Sequence, residues 1–208
     1  MNACRVPSPG GLELMRRALA LCAFAPGAAL LDAGCGAGEF VAYVNASTDF
    51  SMLGIDNDPA VVGISAGAGG DCLCADVRAL PFGDGCFDGV FFGCSLSKVA
   101  EPEAALRESR RLLKAGGRLA AADFYARGAE ADFSGIMGRV ERREKIISRF
   151  KQNGFDLLLF EDHTREMREL WGQLIFDRGK EALDALFGGR GGLAAVRCGY
   201  GLFIAEAR

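Results

Sequence analysis

The segment Leu31-Asp32-Ala33-Gly34-Cys35-Gly36-Ala37-Gly38-Glu39-Phe40 constrains the fold more than any other stretch of the chain. The apolar run Ala29-Leu30-Leu31-Asp32 reads as a strand, three glycines follow at alternate positions, and Glu39 to Asn45 has the pattern of a helix. Glycine lets the backbone turn sharply and approach a ligand closely, and the first turn of a helix presents N–H groups without partners. In open α/β sheets such a turn lies at the carboxyl end of a strand, where ligands bind. The segment therefore predicts an α/β chain with a small-molecule site of nucleotide type.

The rest of the chain keeps alternating. Met52-Leu53-Gly54-Ile55-Asp56 reads as a second strand, and Asp58-Pro59 opens a second helix as N-cap and first helical residue. Asp71–Ala75 and Phe87–Phe92 are the third and fourth strands. A helix over Glu101–Lys114 has Leu106, Ser109, Leu112 and Leu113 as its inner stripe and closes at Gly116-Gly117, before a fifth strand at Leu119–Phe124. Parallel neighbours need crossover helices, so this order implies a mostly parallel sheet covered on both faces. The final third departs from it: a helix over Ser134–Asn153 capped by Gly154, a strand at Asp156–Glu161, a helix from Thr164 with Met167, Leu170, Trp171, Leu174 and Ile175 on one stripe, and a strand at Cys198–Glu206. No repeat or linker interrupts the 208 residues, which predicts one domain, 1–208. An amphipathic N-terminal lid helix (1–25) precedes the ligand-binding core (28–125), and 126–208 supply the substrate side.

Composition narrows the function. Glycine, at 29 of 208 residues, is about twice its usual share, which fits many tight turns. The net charge of −3 disfavours a nucleic-acid partner, and no apolar run reaches membrane-spanning length. Arg16-Arg17 followed by Ala18–Ala25 mimics a secretory signal, but Glu13 precedes the arginines, and Leu12, Met15, Leu19 and Cys22 fall at helical spacing. Eight irregularly spaced cysteines read as reduced thiols of a cytoplasmic protein rather than a disulfide framework. The single histidine, His163, excludes a three-histidine metal site. Monomer and homodimer both remain open.

The ligand follows from charge. A dinucleotide fingerprint needs glycines at 34, 36 and 39, but position 39 is Glu, whose charge at the helix opening repels a pyrophosphate. That disfavours a nicotinamide-dependent oxidoreductase, and the absence of G-K-[ST] excludes a Walker loop. Asp56, ending the second strand, suits ribose hydroxyls, and Asp76, after the third, suits an exocyclic adenine amine. Adenosine with a cationic, phosphate-free tail describes S-adenosylmethionine.

Five ordered motifs now carry a resemblance: Asp32-Ala33-Gly34-Cys35-Gly36-Ala37-Gly38, Gly54-Ile55-Asp56-Asn57-Asp58-Pro59, Ala75-Asp76-Val77 with Leu80-Pro81-Phe82, Phe87-Asp88, and Arg111–Leu119. Over residues 28–125 the chain resembles class I S-adenosylmethionine-dependent methyltransferases of the small-molecule branch that includes the ubiquinone/menaquinone enzymes. The resemblance implies a Rossmann-like, doubly wound, seven-stranded sheet whose last strand is antiparallel. It implies that Asp32, Ala33, Gly34, Gly36 and Gly38 line the methionine part of the cofactor, and that Asp56 and Asn57 hold the ribose and adenine edge. Asp76 and Val77 would bind adenine, and Gly93, Cys94 and Ser95 would approach the methionine moiety and the substrate.

Transfer from a sulfonium expels a neutral leaving group, so orientation can supply much of the catalysis and a base is optional. Candidate catalytic residues are Tyr125, with Phe124 beside it, at the end of the fifth strand, His163 after a later strand, and Cys94. An exposed loop position is the simpler expectation for His163, and a solvated helix face for Arg139, Arg142, Arg143, Lys145 and Arg149. Two alternatives stand beside methyl transfer: a non-catalytic S-adenosylmethionine-binding or regulatory protein, and an arsenite- or thiol-type methyltransferase using Cys94. The latter needs further thiols, from Cys4, Cys72, Cys74 or Cys198, to converge on Cys94. No metal site is expected.

Overall fold

The computed structural model describes residues 8–67, 71–133, 137–181, 184 and 195–208. Its main sheet has seven strands: β1 (Ala29–Ala33), β2 (Ser51–Asp56), β3 (Cys72–Cys74), β4 (Phe87–Gly93), β5 (Leu113–Ala126), β8 (Phe155–Asp162) and β9 (Cys198–Ala207), in the order β3-β2-β1-β4-β5-β9-β8. The first five are parallel, and β9 runs antiparallel to both β5 and β8. The chain works outward from β1 through β2 to β3, then returns to lay β4 on the other side of β1. This reversal opens a crevice at the carboxyl ends of β1 and β4.

Side-chain alternation along the strands builds two cores. On one face Leu30, Phe91, Ala120, Ala122, Leu202 and Ile204 pack against α1 (Gly11–Cys22) and α2 (Glu39–Ser47). On the other Leu31, Val90, Phe92, Leu119, Ala121 and Phe203 pack with Leu106 and Leu112 of α4 (Pro102–Leu112) and Phe150 of α5 (Arg143–Gln152). α1 buries Leu14, Met15, Ala18, Leu19 and Cys22 in the first core. Its Arg17 makes a bidentate pair with Glu161 at 2.6 Å, so the segment that mimics a signal is a packed helix. α3 (Pro59–Gly67) starts as expected, with Ala60 N donating to Asp58 Oδ1 at 2.9 Å. No helix among the described residues is long and apolar enough to cross a membrane.

Three expectations change. The helix expected over Ser134–Asn153 is α5 alone, and a short hairpin of β6 (Ala131–Asp132) and β7 (Arg139–Val140) precedes it. Gly138, at φ +65°, lies so close to Ser97 O that a Cβ would come within 2.6 Å, and Phe133 N donates to Gly138 O. That tertiary contact overrides helical propensity; residues 134–136 lie outside the described set. The expected solvated basic face holds for Arg142, Arg143 and Lys145, which are exposed, but Arg149 belongs to an ion-pair network. Arg149 is nearly buried against Glu141, itself 6% exposed, at 2.5 and 2.7 Å, with Glu103 at 2.6 Å. Finally, α4 ends at Leu112 and β5 takes over at Leu113, two residues before the helix end that the glycine pair suggested. The last helix, α6 (Thr164–Arg178), buries Met167 and Leu174 but leaves Ile175 exposed.

Candidate cofactor and acceptor cavity

A cavity of about 1370 Å³ occupies the crevice at the carboxyl ends of β1 and β4. Ligand pockets of about 300–1,000 Å³ hold one drug-sized molecule, so this one has room for a cofactor and an acceptor together. Its floor is the glycine turn. Gly34 and Cys35 both donate their N–H to Ile55 O, at 2.7 and 2.9 Å, which folds the turn back over β2. Gly34 (φ +84°) and Gly36 (φ +56°) take left-handed conformations. A Cβ on Gly34 would stand 2.5 Å from Ser95 Cβ, and Ser95 Oγ donates to Ala33 O at 2.6 Å, tying the ends of β1 and β4 together.

The carboxylates divide the labour. Asp56 accepts from Gly36 N through Oδ2 and from Asp58 N through Oδ1, both at 3.0 Å, so it shapes the turn and keeps a lone pair on each oxygen. Asp32 is 4% exposed, and burial, with the Asp56 charge beside it, pushes its carboxyl up to about 7. No cation among the described residues pairs with Asp32. A buried carboxyl that faces a cavity without a countercharge fits a cationic ligand, and Glu39 at the rim repels phosphates. These residues fit S-adenosylmethionine. Asp76 is already engaged: Arg78 donates to it through N, Nε and Nη2 at 2.6–3.0 Å, and the pairing holds its carboxyl below the usual range.

The structure brings Asp32, Ala33, Gly34, Gly36, Asp56 and Asn57 to this one cavity, with Asp76, Val77, Gly93, Cys94 and Ser95. Gly38 is not among the lining residues. It is buried at the N-cap of α2 with φ +75°, where its N–H donates to Cys35 O, so it shapes the helix start.

Two catalytic candidates also lie elsewhere. Phe124 belongs to the face that packs on α1, so Tyr125, one residue on, points to the opposite side. The Tyr125 ring packs against Phe160 and its hydroxyl donates to Asp162 Oδ2 at 2.9 Å. Phe124 itself packs on Tyr200 and Trp171, outside the lining. His163 is no exposed loop residue: its side chain is 14% exposed at the N-cap of α6, between Glu161 at 3.3 Å and Glu166 at 3.4 Å.

Cys94 does line the cavity, in a left-handed conformation (φ +58°) with its N–H donating to Ala122 O. Burial pushes its thiol up to about 12, and it raises Tyr200 as well. Of the thiols proposed to join it, only Cys198 of β9 lies near enough for Cys94 to raise it, while Cys72 and Cys74 sit on the far strand β3 and Cys4 lies outside the described residues. No group of three metal-ligating side chains occurs among the described residues. Sequence reading missed Leu12 and Met15 of α1 and Tyr200 of β9 as lining residues, because only the folded topology carries them there. Arg78, two residues after Asp76, was legible as a local partner.

Residues 31–121 match a family described as a methyltransferase domain. The demethylmenaquinone methyltransferase of Renibacterium salmoninarum is 36% identical over 100 residues, 48% of this chain and 42% of that protein. The chain spans less than half the length of this relative and of the malonyl-[acyl-carrier protein] O-methyltransferase of Herminiimonas arsenicoxydans, which is 29% identical over 123 residues. The crystal structure of the [4+2]-cyclase SpnF superposes with TM-score 0.74 at 27% identity, covering 94% of this chain and 80% of the other. The phosphoethanolamine N-methyltransferase 2 of Haemonchus contortus, solved with S-adenosyl-L-methionine, shares the fold with TM-score 0.77 at 19% identity, covering 96% of this chain and 53% of that one. The strand order, the cavity at the β1 and β4 ends and the family match agree: residues 31–121 match a methyltransferase domain, and the chain has the fold of the S-adenosyl-L-methionine-bound structure it superposes on.

Proposed function

We propose that this chain moves a methyl group from S-adenosylmethionine to a small, largely apolar acceptor of hydroquinone type. The observation that carries the reading is the buried, uncompensated Asp32 beside Asp56 in one large cavity. Asp32 would hold the cationic end of the cofactor, the free lone pairs of Asp56 the ribose hydroxyls, and Asp76 with Val77 the adenine edge. Arg78 keeps the Asp76 carboxylate in place and competes with the adenine amine for it. When bound, S-adenosylmethionine supplies a methyl group on a sulfonium sulfur whose departure leaves a neutral thioether.

The acceptor end lies at β4, β5, β9 and α1, where Leu12, Met15, Cys94, Ala122 and Tyr200 make an apolar wall. Cys94 and Tyr200 both hold their protons at neutral pH, so neither serves as a base there. The protein's contribution is then orientation and exclusion of water, and the acceptor must bring its own acidic nucleophile. A hydroquinone does so, and the demethylmenaquinone enzyme supports that class.

The likeness to SpnF favours one second reading, a ring closure in the same apolar cavity with the cofactor as a structural ligand. The two separate by incubating the purified chain with methyl-labelled S-adenosylmethionine and a panel of hydroquinones. Label in an extracted product supports methyl transfer. Cofactor binding with no labelled product from any acceptor or cell extract favours the second reading.

A further inference from the structure

A pair of thiols lies behind the cofactor turn. Cys35, between Gly34 and Gly36, and Cys72, on the edge strand β3, are 37 positions apart, yet their Sγ atoms lie 3.4 Å from each other. Both sulfurs sit over Gly54 of β2, where a Cβ would come within 2.5 Å of Cys72 Sγ and 2.7 Å of Cys35 Sγ. The absence of a side chain at position 54 is what makes room for the pair. Pairing of Cys72 with Gly54, and the Cys35 N–H donated to Ile55 O, fix both residues in place. Both are partly exposed, and both are thiols.

We propose that Cys35 and Cys72 form a reversible disulfide when the chain meets a hydroperoxide such as hydrogen peroxide, and that this bond switches cofactor binding off. One thiol, as thiolate, attacks a peroxide oxygen; the O–O bond breaks and the departing oxygen leaves as water, giving a sulfenic acid. The second thiol attacks that sulfur, the S–O bond breaks and a second water leaves. Two thiols and one hydrogen peroxide thus yield one disulfide and two waters. A disulfide is about 2.05 Å long, so the sulfurs must close by about 1.4 Å. Cys35 is part of the turn, so closure drags Gly34–Gly36 toward β3 and away from Asp56, which holds Gly36 N. Burial and the Asp32 and Asp56 charges keep the Cys35 thiol protonated, so the reaction quickens as pH rises. The cross-link needs only this geometry; its effect on binding rests on the assignment of the turn to the cofactor.

The test uses the full chain, hydrogen peroxide as oxidant and S-adenosylhomocysteine as probe. No Lys or Arg occurs between Arg17 and Arg78, so trypsin leaves both cysteines on one peptide, and cleavage before aspartates such as Asp49 and Asp56 separates them. The expected result is a peptide map, run without reducing agent, that joins the Cys35 fragment to the Cys72 fragment, and probe affinity reduced at least about tenfold, the equivalent of one lost hydrogen bond. Dithiothreitol restores the affinity, and Cys72→Ser keeps its affinity before and after peroxide while Cys74→Ser behaves as wild type. Failure of the two fragments to join, or a joined protein that binds as before, overturns the switch. The reduced Asp56→Ala protein reports separately: undiminished affinity there means that the cofactor assignment has failed, whereas weakened affinity with no cross-link means that the switch alone has.

Discussion

Asp32 shows how one side chain ties sequence to function. Burial raises its carboxyl to about 7, against about 3.9 in an unfolded chain, so folding takes up a proton between those values. The contribution of Asp32 to stability of the cofactor-free chain is complete below about pH 3.9 and is lost as pH rises through about 7. A cationic ligand reverses the preference, because it favours the carboxylate. Affinity for S-adenosylmethionine should therefore rise between about pH 5.5 and 7.5, with proton release on binding, and titration calorimetry in buffers of different ionisation enthalpy measures both. Asp32→Asn should flatten that profile, and an unchanged profile would remove Asp32 from the site. Gly34→Ala meets both a left-handed backbone and the Ser95 side chain, so it should abolish cofactor binding and lower the melting temperature.

Strands decide which residues reach the cavity. On β5, alternation sends Ala122 to the cavity and Tyr125 to the opposite face, where its hydroxyl meets Asp162. Tyr125→Phe should accordingly cost about 1 kcal/mol of stability in urea and leave methyl-transfer turnover at the wild-type rate; a tenfold loss of turnover would return Tyr125 to the chemistry. The α5 element depends on Glu141, whose carboxyl Arg149 and Lys145 hold below the usual range against the cost of burial. Glu141→Ala should lower stability by about 3 kcal/mol, measured by chemical denaturation. Because its folded value is depressed, this contribution is present above about pH 4.3 and is lost as pH falls.

At the scale of the whole molecule, a ligand that bridges the ends of β1, β2 and β4 stabilises every strand around the switch point. At about 100 times its dissociation constant it contributes about 2.7 kcal/mol, which should raise the melting temperature by roughly 5–10 °C. The crevice at the strand ends was legible in the sequence because its signals are local: glycines at 34 and 36, and acidic residues at strand ends. What escaped depends on contacts between distant segments. The face of β5 that carries Tyr125 follows from sheet register, the hairpin at 131–140 from the seat of Gly138 on Ser97, and the Cys35–Cys72 contact from parallel pairing across Gly54. Tyr200 arrives only because β9 inserts between β5 and β8. The central claim, that Asp56 and the glycine turn form the cofactor site, meets its most direct test in calorimetric titration of wild type and Asp56→Ala with S-adenosylmethionine. The expected result is one site per chain, weakened in the variant by about 1–3 kcal/mol; equal affinity in the two proteins would contradict it.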